Sequence, residues 1–273
     1  MIRDGSEAGI ALIAVLWTLI LLSIIAAALS LETRSSTRIA RNMAENATAR
    51  AAADSGIQRA ILDLETPTGA ATDAKKFRAD GTVYAWRFAN CTVHISVRDE
   101  SSKIDLNKAP EPLFAALFTS IGVDPGPALS LAEAIADFRD ADNLPRLSGA
   151  EQAAYRDAGL AWGPKNAPFQ AIEELQQVLG MKNEIYAKVA PDLTVYSVTA
   201  TVPTATDERL TKILRQAGFN SPSTAAPLGL AVSVRAEAKS ANGAVFVREA
   251  VVQLDPNQSS PWILSWRQGG PKT

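Results

Sequence analysis

The N-terminal quarter of the chain carries one uninterrupted pattern, and that pattern limits the folds available to the rest. Residues Ile10 to Leu31 read IALIAVLWTLILLSIIAAALSL, without a single charged side chain. A helix of about 20 apolar residues is long enough to cross the hydrocarbon core of a bilayer. This run is longer than the apolar core of a cleaved secretory signal. It follows a short segment in which Arg3 is opposed by Asp4 and Glu7, so retention as a membrane anchor is expected. From Glu32 to Glu65 there is no proline or turn cluster and alanine, the best helix former, is abundant. Arg34, Arg38 and Arg41 recur on one solvated face, while Ile39, Met43, Ile57, Ala60, Ile61 and Leu64 supply an apolar one. Pro67 and Gly69 stop the pattern. The spacing predicts one helix from Ile10 to about Glu65, roughly 80 Å long at 1.5 Å per residue.

Composition removes most enzyme classes. The 273 residues include one cysteine, Cys91, and one histidine, His94, which excludes an internal disulfide and every multi-thiolate or multi-imidazole metal site. Both lie in a strand-like run, Val83 to Val97, and are expected to be ordinary strand positions. No G-x-S-x-G, phosphate-binding loop, H-E-x-x-H or C-x-x-C occurs. Glu173-Glu174 fits the solvated face of an amphipathic helix. No enzymatic activity is expected.

The remainder predicts an α+β chain. Thr82 to Arg98 alternates and is rich in Val, Trp, Phe and Ile, which reads as strands. After Asp99 the pattern turns helical. Leu113, Phe114, Leu117 and Phe118 share a face, with Pro110 expected in the first turn. A Gly/Pro turn from Gly122 to Pro127 leads to a helix with Leu131, Ile135 and Phe138. A third helix is expected over Ile172, Leu175, Val178 and Leu179, ended by Gly180, and Ala187 to Tyr196 closes the block. Asp207 to Ala217 is a further helix, and Ser221 to Pro227 a linker. Leu230 to Lys239 and Ala244 to Leu254 are strands joined by Ser240-Ala241-Asn242-Gly243, a hairpin signal. Pro261 to Trp266 suggests a last strand, and Gly269-Gly270-Pro271 the start of a frayed tail. The expected organisation is residues 10–65 as helix, 66–100 as the first part of an antiparallel sheet, 101–199 as an inserted all-α domain and 200–273 as the rest of the sheet.

The start of the chain resembles the type IV pilin superfamily: a short polar leader (residues 1–9) ending Ala8-Gly9, an apolar helix beginning at Ile10, and an amphipathic continuation. The resemblance implies a pilin fold. It also implies cleavage by a prepilin peptidase after Gly9, with methylation of the new N-terminus at Ile10. The chain departs from the usual pattern in having Ile10 rather than Phe or Met first, Ala14 rather than glutamate fifth, and a leader that is not basic. The helical block admits two readings. Its segments IDLNKAP…LAEAIADFRD and NAPFQAIEELQQVLGM look like a helix-hairpin-helix DNA-binding pair, as in an anchored competence protein. The ordered motifs D-E-x-x-K-I-D-L-N (from Asp99), D-F-R-D-x-D (from Asp137), G-A-E-x-x-x-Y (from Gly149), N-A-P-F (from Asn166), E-E-L, L-G-M and T-V-Y-S (from Thr194) resemble the minor pseudopilin K family of type II secretion. Between Ser101 and Tyr196 there are 8 Lys+Arg and 13 Asp+Glu, a net of −5. Binding dominated by phosphates needs a basic face, so nucleic acid is disfavoured as a partner. The resemblance implies a structural subunit capping and initiating a pseudopilus that exports folded proteins. Its partners would be the other minor pseudopilins, the major pseudopilin, the peptidase and the inner membrane, crossed once with the C-terminal domain in the periplasm. Lack of the fifth-position glutamate is a habit of that family.

Asp140, Asp142 and Glu151 occupy positions 1, 3 and 12 of the stretch DADNLPRLSGAE. Calcium takes hard oxygen ligands from one loop in this way, but Leu144 and Pro145 at positions 5 and 6 rule out an EF-hand. The resemblance implies a calcium-binding α-domain, with Asp137 as a second-choice ligand one turn before Asp140. Two readings remain, a calcium loop and a solvated acidic loop.

Overall fold

The computed structural model describes residues 6–66, 77–197, 202–203, 208–220, 231–254 and 261–270, with side chains of the first helix from Leu12 to Ala27 and from Ser36 onward. Helix α1 (Ser6–Glu65) is a single 60-residue element, about 90 Å long. It starts ahead of the expected Ile10. Every described side chain from Leu12 to Ala27 is exposed. Among the described residues no helix is long and apolar enough to cross a membrane, and the described stretch is shorter than the apolar run Ile10 to Leu31. The second half of α1 behaves differently. Ala49, Ala52, Ala53, Ile57, Ala60 and Ile61 are buried, a stripe at helical spacing. Ile39 and Met43, expected on the same face, stay exposed because the sheet begins only beyond them.

The strands in chain order are β1 (Asp80–Phe88), β2 (Cys91–Asp99), β3 (Ile104–Asp105), β4 (Leu193–Thr194), β5 (Ala231–Ser240), β6 (Val245–Gln253) and β7 (Trp262–Gln268). Five form one antiparallel sheet in the order β1-β2-β5-β6-β7. Alternation sends Cys91, Val93, Ile95 and Val97 under α1, joined by Val232, Val234, Ala236, Ala238, Ala250 and Val252. His94 faces outward and is exposed. The alternating run Thr82 to Arg98 is a hairpin turned at Ala89 and Asn90, with Ala89 at φ 51°. Gly56 is the point of closest approach of helix and sheet: a Cβ there would meet Val93 Cγ1 at 2.9 Å and Ala236 Cβ at 3.0 Å. Polar fastenings flank this seam. Arg248 donates to Asp54 Oδ1 at 2.6 Å while lying over the rings of Phe246 and Trp266. Asn242, in the β5–β6 turn, donates to Glu45 at 2.6 Å.

Strands β2 and β5 are sheet neighbours, yet everything between residues 100 and 230 is inserted between them. The insertion contains α2 (Glu111–Ser120), α3 (Pro125–Arg139), α4 (Gln152–Asp157), α5 (Asn183–Val189) and α6 (Glu208–Gln216). Leu113, Phe114, Leu117, Phe118, Leu131, Ile135, Phe138, Tyr155 and Leu175 form its core. Leu210, Ile213 and Leu214 of α6 belong to the same core, so the helical body runs past the expected limit at residue 199. Pro110 caps α2 rather than sitting in its first turn; Pro112 lies inside. Ile172–Gln177 is a 3-10 helix, not an α-helix. The apolar positions Ile172, Leu175 and Val178 are three apart, which is the 3-10 period.

The insertion is closed at its neck by β3 and β4, a short parallel pair. Here the D-E-x-x-K motif finds its place. Glu100 is buried, accepts from Lys103 Nζ at 2.5 Å and from the hydroxyl of Thr194, and Lys103 also reaches Ser233 of β5 at 3.2 Å. At the opposite edge Arg267 of β7 bridges Glu249 (3.1 Å) and Glu173 of the insertion (2.5 Å). The glycines expected to begin a frayed tail are held: Gly269 donates to Val247 O at 3.1 Å, and Gly270 O accepts from Arg235 at 2.6 Å. The expected linker Ser221 to Pro227 and Pro271 lie outside the described residues.

A candidate metal centre in the inserted domain

Helix α3 ends at Arg139, and the backbone of Asp140 is extended, which swings its carboxylate off the helix end. Asp142 Oδ1 accepts from the Leu144 amide at 2.8 Å, a local turn that aspartate commonly makes. The loop returns to Glu151, the extended residue before α4. Asp140, Asp142 and Glu151 are thereby brought together, each offering an oxygen within 4.8 Å of the others.

The electrostatics of this group are unbalanced. Glu151 is only 5% exposed, yet neither of its carboxylate oxygens has a hydrogen-bond partner among the described residues, and Asp140 Oδ1 also lacks one. Burial, then the charges of Asp137, Asp140 and Asp142, push the Glu151 carboxyl above its ordinary value. Buried carboxylates without donors are costly unless a cation completes them. Orphaned, convergent, hard oxygens fit calcium: Asp140, Asp142 and Glu151 are the residues that would hold it.

Asp137, the second-choice ligand, is not brought to this group. It is fully buried, and Arg146 takes both its oxygens: Nη1 donates to Oδ1 at 2.5 Å and the Arg146 amide to Oδ2 at 3.2 Å. The same guanidinium donates to Asp140 Oδ2 at 2.6 Å and to Glu111 at 2.7 Å. These bonds, that to Asp140 foremost, hold Arg146 protonated well beyond the usual range. Asp140 therefore has one oxygen on an internal cation and one oxygen free. Gly149 is required beside this network, since a Cβ there would fall 2.0 Å from Asp137 Oδ2.

Asn166 was not among the sequence candidates. Its side-chain amide donates to Asp142 O and Asn143 Oδ1, both at 2.9 Å, and its backbone N–H donates to Phe138 O at 2.9 Å. Its φ is 50°. Its place in N-A-P-F was the only sequence signal. Gly9 and Ile10 lie within the backbone of α1, and their side chains are outside the described residues.

Arg156, Lys182, Lys188, Lys212 and Arg215 are exposed, while other cations of the insertion are spent internally. Arg139 donates to the carbonyls of Leu106 and Ala109, Lys165 pairs with Glu174 at 2.8 Å, and Lys108 donates to Ser197 O. The net charge of −5 between Ser101 and Tyr196 disfavours a phosphate-binding face.

Residues 95–198 match the family model described as Type II secretion system (T2SS), protein K. The chain is 28% identical over 206 residues to Type II secretion system protein K of Klebsiella pneumoniae, covering 68% of this chain and 61% of that protein. It is 32% identical over 103 residues to the protein of that name from Aeromonas hydrophila, covering 37% of this chain and 31% of the relative. The chain thus spans less than two thirds of these relatives. Among solved structures, a chain of the GspK-GspI-GspJ complex from the enterotoxigenic Escherichia coli Type 2 Secretion System matches with a TM-score of 0.57 at 16% identity, covering 88% of this chain and 100% of that one. The fold is that of a pilin-like α+β chain with a helical insertion.

Proposed function

Because residues 95–198 match the type II secretion system protein K family, we propose that the whole chain is a non-enzymatic minor pseudopilin that caps a pseudopilus and supports export of folded proteins. The observation that carries this reading is the helical insertion between neighbouring strands β2 and β5 of a sheet packed on one long helix. In that arrangement α1 is the filament-forming element, its described first half exposed and its second half fixed to the head. The apolar run Ile10 to Leu31 anchors the subunit in the inner membrane after cleavage at Gly9, leaving the head in the periplasm. The GspK-GspI-GspJ complex supports two other minor pseudopilins as direct partners, with the major pseudopilin below them.

Calcium is the ion we assign to Asp140, Asp142 and Glu151, with a structural role: it supplies the positive charge that this loop lacks. Isolation of the full-length chain from detergent-solubilised membranes of secreting cells tests the assembly reading. Co-isolation with the minor pseudopilins of the same system, and loss of export on deletion, are expected. Isolation without them, with export intact after deletion, would overturn it.

A further inference from the structure

We infer that Asn166 is a fourth, neutral ligand of the cation at Asp140, Asp142 and Glu151; this rests on the calcium reading above and adds a residue to it. Asn166 Oδ1 is buried and has no hydrogen-bond partner among the described residues, like Asp140 Oδ1 and both oxygens of Glu151. The orientation of its amide is fixed by chemistry. Asp142 O and Asn143 Oδ1 are both acceptors, so the group facing them at 2.9 Å must be the NH2, and the oxygen must point the other way. Asp142, Asn143 and Leu144 are exposed, so the NH2 faces the outer turn and the oxygen is turned inward. The geometry of a carboxamide places Oδ1 roughly 2.3 Å from Nδ2, hence within about 5 Å of the main-chain carbonyl of Asp142, the residue that supplies one of the three carboxylates.

The backbone supports a purpose for this placement. Asn166 has φ 50°, a left-handed conformation that asparagine tolerates better than most residues but that still needs holding. It is held by its N–H on Phe138 O, while Phe169, three residues on, stacks on Phe138 with centroids 4.9 Å apart and exchanges hydrogen bonds with Asn107. The segment is fixed on the end of α3 with one carbonyl-type oxygen left over. Calcium takes six to eight oxygens, mixing carboxylates with neutral carbonyls. Three carboxylates supply charge, and Asn166 supplies a neutral oxygen from a segment distant in sequence. The ion would then staple three pieces of chain: the end of α3, the start of α4, and the N-A-P-F loop.

The test uses the full-length chain in detergent, with Ca²⁺ affinity measured by calorimetry and bound waters counted from terbium luminescence lifetimes in H₂O and D₂O. Asn166→Gly removes the amide and relaxes the left-handed backbone; Asn166→Asp keeps an oxygen at the same place. Asn166→Gly should bind Ca²⁺ at least tenfold more weakly and carry about one extra water on bound Tb³⁺, while Asn166→Asp keeps the unmodified water count. A merely structural role for Asn166 would weaken affinity without adding a water, and that result overturns the inference. So does unchanged affinity with an unchanged count in Asn166→Gly. If the unmodified chain binds neither Ca²⁺ nor Tb³⁺, the calcium reading itself fails, an outcome distinct from the other two.

Discussion

Glu151 is where the calcium loop and the plain acidic loop make opposite demands. Its carboxyl pKa is raised in the fold by burial and by neighbouring aspartates. A carboxylate with a raised folded pKa binds more protons folded than unfolded, so stability falls as pH climbs through the window above its ordinary 4.5. In chelator, Glu151→Gln should therefore be more stable than the unmodified chain at pH 7, and the difference should vanish toward pH 4. With saturating calcium the order should reverse. A hundredfold excess over Kd adds about 2.7 kcal/mol to the binding-competent chain only, and Asp140→Ala should lose the same increment. Denaturant titrations with and without calcium decide it; an order independent of calcium leaves only the acidic loop. Arg146 gives a second test. Removing it as Arg146→Met strands the fully buried Asp137 and should cost about 3 kcal/mol by the same titration. The trio Asp140, Asp142 and Glu151 was legible because its members lie in one loop at ligand spacing. That Asp137 would be taken by Arg146, and that Asn166 would arrive from 24 residues beyond Asp142, was not, because such contacts depend on how separate segments pack.

At the scale of elements, periodicity carried most of the fold. The long helix, the β5–β6 hairpin at Asn242-Gly243 and the buried face of β2 all follow from spacing alone. What spacing hid was length and partner. The 172–178 segment reads as an α-helix until its three-residue period is noticed, and α6 was placed with the sheet because sequence order says nothing of which core takes its apolar side. Likewise Gly56 looks incidental in an alanine-rich helix, yet it sets the distance between helix and sheet. Gly56→Ala gains about 1 kcal/mol of helix propensity against a Cβ contact at 2.9 Å, and should be near neutral. Gly56→Leu gains nearly the same propensity but drives a far larger side chain into Val93 and Ala236, and should cost about 1–3 kcal/mol through overpacking. Thermal unfolding of the two variants checks this; a Leu variant as stable as the unmodified chain would mean that the seam is looser than its contacts indicate.

For the whole molecule, the position of the insertion bears on where the subunit sits. A sheet wrapped on one helix makes a narrow head that repeats along a filament. Here roughly 130 further residues leave the sheet between two of its neighbouring strands and are pinned to it twice, by Lys103, paired with Glu100, on Ser233 at the neck and by Arg267 with Glu173 at the edge. On the reading proposed above, such a head would be too broad for a stacked position and would have room at an apex. Ala14 agrees with this from the other end. The pilin resemblance implies that a carboxylate at the fifth position after Gly9 neutralises the terminal amine of a neighbour; the proposed apex subunit would have nothing to neutralise, and an unpaired acid in a bilayer costs about 2.5–3.5 kcal/mol. One copy per filament is therefore expected, with a methylated N-terminus at Ile10 in the processed chain. Gold or fluorescent labels on full-length copies should appear at one end of assembled pseudopili, once each. Ala14→Glu should lower the yield of inserted subunit without adding copies along the shaft. Labels distributed along the length or homopolymers of the purified chain would remove it from the apex, and an intact Met1 in secreting cells would overturn the pilin assignment itself.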